Sequence, residues 1–342
     1  MNAIVLLGHG DIDQYEYRED VPVPVPGPLD VLVEVEAASI NNTDVNVRTD
    51  WYDGAAGDTG LQFPRIQGAD VVGRIVRAGS GVAADRVGQR VICDPHLRSG
   101  AERRPERAAT AGYLGFDVDG GFAQYVVVPA ANAWQVPEHL LAEELACYPV
   151  AYSTALEMML RGRARAGQTM LVSGASGGVG TALVQLGKVL GLEVVAIASR
   201  AKHDRLRVLG ADIVIDREDP AIAESLTEAG VGRVDVVLDV VGGEQLATLL
   251  GLVRGGGTCV TAGGVGGPIT PVDLRHLIYQ DLDLRGVSCP RVSTFAMLVD
   301  LIGRGVVRAP VAATYPLCDL VAAQLEFLKR QHIGKIVLTV PA

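Results

Sequence analysis

The chain has 342 residues, 49% of them hydrophobic and 20% charged, which predicts a folded globular protein too long for one compact core. The formal net charge of −10 argues against nucleic acid or an anionic membrane as the main partner, because phosphate binding needs a basic face. The first residues lack the basic region of a signal peptide, and no stretch has the about 20 apolar residues of a membrane span.

The cysteines are few and scattered. Their number is odd and no two are close in sequence, so they do not form the framework of a disulfide-stabilised fold. We therefore expect a reducing environment and a cytoplasmic protein. The five positions are Cys93, Cys147, Cys259, Cys289 and Cys318.

Residues 1–130 have the pattern of a β-rich domain. Short runs rich in Val and Ile are separated by Pro and Gly, as in "VPVPVPGPLD". These runs predict an irregular antiparallel barrel. The predicted strands include Val31–Val35, Val71–Val76, Arg90–Cys93 and Tyr125–Val128.

From about residue 150 the pattern changes to alternating strands and helices. Several predicted strands are continuous apolar runs, typical of strands covered on both faces, so we expect a doubly wound parallel sheet. The closing strand "GKIVLTV" has no parallel partner nearby in sequence and is assigned to the first domain. The expected domains are 1–130 with 290–342, and 131–289.

The segment 173–180, Ser-Gly-Ala-Ser-Gly-Gly-Val-Gly, lies between the first predicted parallel strand and a helix. It matches the dinucleotide-binding fingerprint, except that Ala175 stands where the first glycine is usual. In such a turn the glycines let a pyrophosphate approach the backbone, and the helix N-terminus faces the anion. The predicted contacts are Ala175, Ser176, Gly177, Gly178, Val179 and Gly180.

Two other interpretations of this segment remain open. Gly174, Ser176 and Gly178 also match the nucleophile elbow of a serine hydrolase, for which Asp239 with His276 or His332 would complete a triad. An ordinary glycine-rich turn is the third. The nucleotide interpretation is favoured because the elbow would fall on the first parallel strand and no oxyanion-hole segment precedes it.

The second strand of this domain is followed by Ser199-Arg200-Ala201-Lys202. NAD-binding folds carry Asp or Glu here to hold the ribose 2′-hydroxyl. A hydroxyl and two cations suit a 2′-phosphate instead, so Ser199, Arg200 and Lys202 predict NADP(H). The alternative is a solvated basic helix start.

The whole chain resembles the medium-chain dehydrogenase/reductase superfamily. The resemblance implies a GroES-like catalytic domain, a Rossmann NADP-binding domain, a substrate cleft between them and a homodimer paired through the Rossmann sheet edge. The segments that carry it run in family order from end to end. They are "PVPGPLDVLVEVEAASINNTD", "GADVVGRIVRAGSGV", "VGQRVI", "GGFAQYVVVPA", "YPVAYSTALEMM", "VSGASGGVG", "LGADIVID", "VDVVLDVVGG" and "IGKIVLTV".

The resemblance places the ligands of the family's catalytic zinc at Asn41, Ala69 and Val150. Ala and Val cannot bind a metal and Asn is a poor neutral ligand, whereas a catalytic zinc needs three protein ligands. In the stretch that matches the family's four-cysteine structural zinc lobe, only Cys93 is a cysteine, although nearby Asp94 and His96 could be imagined as ligands. The chain is therefore similar to the zinc-free quinone oxidoreductases and enoyl reductases of the superfamily.

Zinc would polarise a carbonyl during hydride transfer. Without it, a quinone or α,β-unsaturated carbonyl is the favoured small-molecule substrate, because charge spreads away from the carbon that accepts the hydride. Tyr52, Thr43 and Asn41 are the candidate catalytic residues. Tyr52 matches a substrate-facing Tyr of zinc-free relatives, and Thr43 matches a proton-relay hydroxyl. Asp70 is expected to be a hydrogen-bonded loop carboxylate.

Further cofactor contacts follow from the resemblance and from the sheet. Tyr152, Ser153 and Thr154 lie in a segment that lines the nicotinamide in relatives, with Thr154 the predicted contact. Val240, Ala262 and Gly263 follow predicted strands, at whose carboxyl ends ligands bind in this fold.

Two other functions remain open, a zinc-free ketone reductase and a non-catalytic NADPH-binding protein. The segments 50–62 and 94–116 are expected to shape the pocket.

Overall fold

The computed structural model describes residues 1–52, 61–97 and 112–341. These form two compact units, Met1–Val150 with Arg291–Ala342 (unit 1) and Ala151–Pro290 (unit 2). The predicted pocket segments 50–62 and 94–116 lie partly outside the described residues, at 53–60 and 98–111. No helix in the described part of the chain is long and apolar enough to cross a membrane.

The N-terminal part of unit 1 is built mainly from strands. They are β1 (Ala3–Leu6), β2 (Tyr15–Arg18), β3 (Asp30–Ser39), β4 (Arg65–Ile66), β5 (Asp70–Ala78), β6 (Arg90–Cys93), β7 (His96–Leu97), β8 (Gly112–Tyr113), β9 (Tyr125–Pro129) and β10 (Ala133–Gln135). The helices are α1 (Asn42–Arg48), α2 (Ala142–Leu145) and α3 (Pro149–Arg161), the last of which continues into unit 2.

Unit 2 alternates strands and helices. Its elements are β11 (Thr169–Val172), α4 (Gly178–Leu190), β12 (Glu193–Ala198), α5 (His203–Leu209), β13 (Ile213–Asp216), α6 (Ile222–Glu228), β14 (Val234–Asp239), α7 (Gly243–Leu250), β15 (Val253–Thr261), α8 (Leu274–Tyr279) and β16 (Asp283–Gly286). The chain then returns to unit 1 with α9 (Val292–Gly303), β17 (Val311–Pro316), α10 (Leu320–Leu328) and β18 (Lys335–Thr339).

The sheet of unit 1 confirms the predicted barrel-like β domain. Seven of the described strands form it, in the order β10-β6-β5-β3-β18-β17, with β9 also paired to β3. In β3, Val31, Val33 and Val35 are buried while Glu34 and Glu36 are partly exposed, as alternation along a strand requires. Gly73 of β5 passes so close to β3 that an added Cβ would lie 2.0 Å from the carbonyl oxygen of Glu34.

One prediction about this sheet is wrong. The closing strand β18 does have a parallel partner nearby in sequence, because β17 pairs with it in parallel while β3 pairs with it antiparallel. α10 connects the two strands and packs against both of them. The strand nevertheless belongs to unit 1, as the sequence indicated.

The sheet of unit 2 is the predicted doubly wound parallel sheet. Its described strands follow the order β13-β12-β11-β14-β15-β16, and every pair is parallel. The strand order reverses at β11 and β14, which is where this kind of fold binds its ligands.

The compact units divide at Val150, later in the chain than the boundary expected near residue 130. The intervening segment stays with unit 1 because β10 pairs antiparallel with β6 and α2 packs on β3 and β5.

Candidate active site

The glycine-rich turn joins β11 to α4, as a nucleotide-binding turn does. Gly174 has a φ of +55°, so it makes the sharp turn that the first fingerprint glycine usually supplies. A Cβ on Gly180 would lie 2.3 Å from the carbonyl oxygen of Gly174, so only glycine lets the helix approach the turn this closely. At Gly177 the nearest protein atom would be 3.7 Å away, which leaves room beside the backbone. The turn fits a pyrophosphate at the N-terminus of α4.

A lysine reaches this turn from the end of the next strand. Lys202 is only 9% exposed, and its ammonium donates a hydrogen bond to Ser176 Oγ at 3.0 Å. Burial lowers the pKa of Lys202, and repulsion from Arg217, which follows β13, lowers it further. A bound anion beside Lys202 would offset both effects, so the corner formed by Ser176, Lys202 and Arg217 suits a phosphate group.

The other predicted cofactor residues occupy several positions in unit 2. Ser199 is half-buried and precedes the short 3₁₀ helix that ends at Lys202, while Arg200 is exposed. Gly178 and Val179 are the first residues of α4. The rest are at least partly exposed and lie on α3 or after strands β14 and β15: Thr154, Val240, Ala262 and Gly263.

The ends of β14 and β15 approach each other closely. A Cβ on Gly263 would lie 2.4 Å from the carbonyl oxygen of Val240, and the Ala262 N–H donates to the carbonyl oxygen of Asp239. The Asp239 carboxylate is fully buried and accepts hydrogen bonds from the hydroxyls of Ser173 and Thr261.

These contacts do not support the serine hydrolase interpretation. A nucleophilic serine donates its hydroxyl to a histidine base, whereas Ser176 Oγ accepts a hydrogen bond from Lys202. The ring of His332 stacks on Phe327. The Asp239 carboxylate accepts hydrogen bonds from the hydroxyls of Ser173 and Thr261 and from the backbone N–H groups of Val241 and Gly242.

A buried polar cluster lies in unit 1 where β3, β5 and β18 meet. Asp70 Oδ2 is 2.9 Å from the ammonium of Lys335 and accepts hydrogen bonds from Ser39 Oγ at 2.5 Å and Asn41 Nδ2 at 2.8 Å. Its other oxygen, Oδ1, accepts from the backbone N–H of Val150 at 2.7 Å. Lys335 also donates to Asn41 Oδ1. We call Ser39, Asn41, Asp70, Lys335 and the Val150 N–H the barrel cluster.

A second carboxyl group lies beside the barrel cluster. Asp44 is 2% exposed and accepts a hydrogen bond from the backbone N–H of Asn41 at 2.7 Å. Burial raises its pKa from 3.8 to about 7, although Lys335 opposes the shift. Asn41 therefore contacts both carboxyl groups and Lys335, and its contacts organise this part of the barrel.

Three hydroxyl groups lie together in unit 1, those of Thr43, Tyr52 and Tyr113. Thr43 lies in the first turn of α1, within hydrogen-bonding reach of the hydroxyls of Tyr52 and Tyr113. Burial raises the pKa of both tyrosines above the ordinary value of 10.0, and the carboxyl group of Asp44 adds to the shift. Both phenols therefore stay protonated near neutral pH and can donate hydrogen bonds.

The residues at the family's zinc positions do not fit a metal. Asn41 Oδ1 accepts a hydrogen bond from Lys335, the side chains of Ala69 and Val150 have no ligand atom, and the backbone N–H of Val150 donates to Asp70. Burial raises the pKa of Cys93 to about 12, which disfavours the thiolate that zinc requires. Within the described ranges no group of three or more His, Cys, Asp or Glu side chains could hold a metal ion.

Sequence reasoning missed four residues of these arrangements. Gly174 supplies the turn that Ala175 could not, and Arg217 joins Lys202 from the next strand. Tyr113 lies near Thr43, and Lys335 is the partner of Asp70. Only Gly174 had a local signal, because it directly precedes the fingerprint; the other three act through contacts between distant segments.

Two family models match the chain. The alcohol dehydrogenase GroES-like domain matches residues 27–138, and the zinc-binding dehydrogenase domain matches residues 178–304. Each match falls mainly on one of the two units.

Individual relatives match over almost the full chain. The quinone oxidoreductase of Rattus norvegicus is 27% identical, covering 99% of this chain and 97% of the relative. The acryloyl-coenzyme A reductase of Metallosphaera sedula is 29% identical, covering 99% and 100%. The crystal structure of a putative alcohol dehydrogenase from Sinorhizobium meliloti 1021 has a TM-score of 0.94 and 38% identity, covering 100% of this chain and 97% of that one. The chain therefore belongs to the medium-chain dehydrogenase/reductase superfamily of oxidoreductases.

Proposed function

We propose that this chain is an NADPH-dependent, zinc-independent reductase that transfers hydride to a quinone or an α,β-unsaturated carbonyl compound. The observation that carries the proposal is the barrel cluster. At the zinc positions of the family, Asn41 and the Val150 N–H are hydrogen-bonded to Lys335 and Asp70. A reaction that depends on a Lewis acid at this place has no ligands to hold one.

The choice of NADPH is supported by the corner at Ser176. Lys202 and Arg217 are cations close enough to repel each other, and Lys202 already donates a hydrogen bond to Ser176. A 2′-phosphate carries up to two negative charges and accepts several hydrogen bonds, so it would be held by all three side chains. The 2′-hydroxyl of NADH carries no charge and would leave the repulsion of Lys202 by Arg217 in place, although Arg217 also forms an ion pair with Glu218 at 3.3 Å.

NADPH, when bound, supplies a hydride to an electrophilic carbon of the acceptor. The residues of the protein bind and orient the reactants. The turn from Gly174 to Gly180 would hold the pyrophosphate, and Thr154 is the proposed contact of the nicotinamide. The hydroxyls of Thr43 and Tyr52 would donate hydrogen bonds to the acceptor oxygen, where negative charge develops. Because both are neutral donors, they suit an oxygen that carries only part of the charge.

The substrate class follows from this limited polarising power. In a quinone or enone the charge spreads over a conjugated system, so neutral donors are sufficient. Two relatives are a quinone oxidoreductase and a reductase of acryloyl-coenzyme A, an α,β-unsaturated thioester. They support the proposal that the chain belongs to the quinone oxidoreductase-like branch.

A panel of acceptors tests this function. NADPH oxidation would be followed by absorbance with a quinone, an enone and a saturated ketone of similar size. We expect turnover with the quinone or the enone and preference for NADPH over NADH. Turnover of the saturated ketone alone would instead identify a ketone reductase, and NADPH binding without turnover of any acceptor would identify a non-catalytic binding protein.

We also propose that the chain forms a homodimer through the open edge of the unit 2 sheet. β16 is the last strand in the sheet order, and several apolar side chains nearby are well exposed. Ile278 and Tyr279 of α8 are 62% and 80% exposed. An unpaired strand edge beside exposed apolar side chains is a surface that a second copy can cover.

The reducing cytoplasm is the proposed location. It is supported by the state of the cysteines, which are all free thiols, three of them buried. Fractionation of cells that produce the protein would test this assignment, and recovery from an oxidising compartment would contradict it.

A further inference from the structure

The barrel cluster connects directly to the beginning of helix α3. The N–H groups in the first turn of a helix have no partner within the helix. One of them, the N–H of Val150, donates to Asp70 Oδ1 at 2.7 Å. Asp70 is the first residue of β5, far from α3 in sequence, and it is fully buried. Its carboxylate therefore acts as an N-terminal cap of α3 that is supplied from another element.

Lys335 holds this cap in place. Its ammonium is 2.9 Å from Asp70 Oδ2 and also donates to Asn41 Oδ1, while Asn41 Nδ2 donates back to Asp70. Lys335 is 4% exposed and Asp70 is 0% exposed, so water does not screen the pair. Both Asp70 oxygens are therefore occupied, and the carboxylate has one defined position.

The first turns of α3 carry the residues that we propose to contact the nicotinamide. Thr154 lies one turn after Val150, and Tyr152 and Ser153 between them are buried. A shift of the first turn would move Thr154 along with it. In hydride transfer a displacement of about 1 Å costs up to about a hundredfold in rate.

We propose that Asp70 and Lys335 are positioning residues for the nicotinamide end of the cofactor, acting through the first turn of α3. This inference rests on the proposed function in two respects, namely that Thr154 meets the nicotinamide and that Ser176 and Lys202 hold the adenine end. Neither side chain touches the cofactor in this account. The adenine end is held by other residues, Ser176 and Lys202, so the two ends of the cofactor should respond differently to changes in the pair.

The experiment compares two ligands on a set of variants. NADPH engages both ends of the site, whereas 2′,5′-ADP carries the adenine ribose and its 2′-phosphate but no nicotinamide. Dissociation constants for both would be measured by calorimetry for the wild type, Lys335→Met and Asp70→Asn. Glu138→Gln is the matched control, because it breaks a surface ion pair of the same unit, Arg74–Glu138 at 2.8 Å. The double variant Asp70→Asn/Lys335→Met leaves no lone buried charge. If a single variant does not fold, the double variant is measured in its place.

The inference predicts that each variant of the pair raises the dissociation constant of NADPH at least tenfold and changes that of 2′,5′-ADP less than twofold. Glu138→Gln should change neither constant. A folded variant with a lower melting temperature and an unchanged ratio of the two constants would show a structural role only and overturn the inference. An equal rise in both dissociation constants would also overturn the inference, because it would indicate that the whole cofactor site had been disturbed.

The same data separate this inference from the proposed function. If the wild type binds NADPH but reduces no acceptor, the proposed function fails. The ratio of the dissociation constants of NADPH and 2′,5′-ADP then still decides the role of Asp70 and Lys335. If the wild type binds no pyridine nucleotide, both fail.

Discussion

Lys202 is the residue on which the proposed coenzyme preference depends most. It is nearly buried beside Ser176, and its charge is destabilised by burial and by Arg217. We expect Lys202→Ala to weaken NADPH binding by about tenfold to a hundredfold, because a charge-assisted hydrogen bond contributes about 1.5–3 kcal/mol. Binding of NADH should be nearly unchanged, and both constants can be measured by fluorescence titration.

The control for this substitution lies on α4 of the same unit. Lys188 forms an exposed ion pair with Asp212 at 2.7 Å, so Lys188→Ala removes the same charge away from the corner. An equal loss of NADPH affinity in both variants would mean that only the overall charge matters, and the proposed 2′-phosphate site would have to be abandoned.

Asp44 is the second residue for which we make a prediction, and the prediction concerns how the folding stability changes with pH. Burial raises its pKa from 3.8 to about 7, so the folded protein favours the protonated form. The stability contributed by this proton is full below about pH 4 and is lost as the pH rises through 7. The loss has a slope of at most about 1.4 kcal/mol per pH unit.

Asp44→Asn removes this titration. We expect the melting temperature of the variant, measured relative to wild type, to increase steadily between pH 4 and pH 7. Asp204→Asn is the control for exchanging a carboxyl for an amide at a side chain that is 99% exposed. A difference that stays constant over this range would show that folding does not raise the pKa of Asp44.

At the scale of elements, α8 and β16 determine the proposed dimer. We expect the wild type to sediment at twice the 35.9 kDa of one chain, since exposed apolar side chains beside an open strand edge favour association. Tyr279→Glu should shift the protein toward the monomer. Val208→Glu is the matched control, because Val208 is 87% exposed on α5. A wild type that is monomeric at micromolar concentration would refute the dimer.

Elements were predictable from sequence where the pattern was local. The continuous apolar runs of β11 and β12 predicted buried parallel strands because both faces of such a strand are covered. β17 was missed because its residues, Val311–Pro316, are mostly partly exposed and the strand ends in proline. Without β17, the parallel partner of β18 could not be foreseen.

At the scale of the whole molecule, some parts of the candidate site have a local signal in the sequence, whereas others depend on contacts between distant segments. The glycine turn and Lys202 lie in motifs whose spacing has a physical meaning, so the sequence could propose them as cofactor contacts. The barrel cluster could not, because Asn41 and Lys335 are 294 residues apart and meet only in the folded barrel. Sequence showed that Ala69 and Val150 cannot bind a metal, but not that a lysine and an aspartate form an ion pair beside those positions.

The most direct test of zinc-independent reduction follows deuterium from NADPH labelled at C4 into an enone, using protein whose metal content is measured before and after treatment with a chelator. The account predicts deuterium on the β-carbon of the product, less than stoichiometric zinc, and a rate that the chelator does not change. Loss of activity on chelation that is restored by added zinc would contradict it.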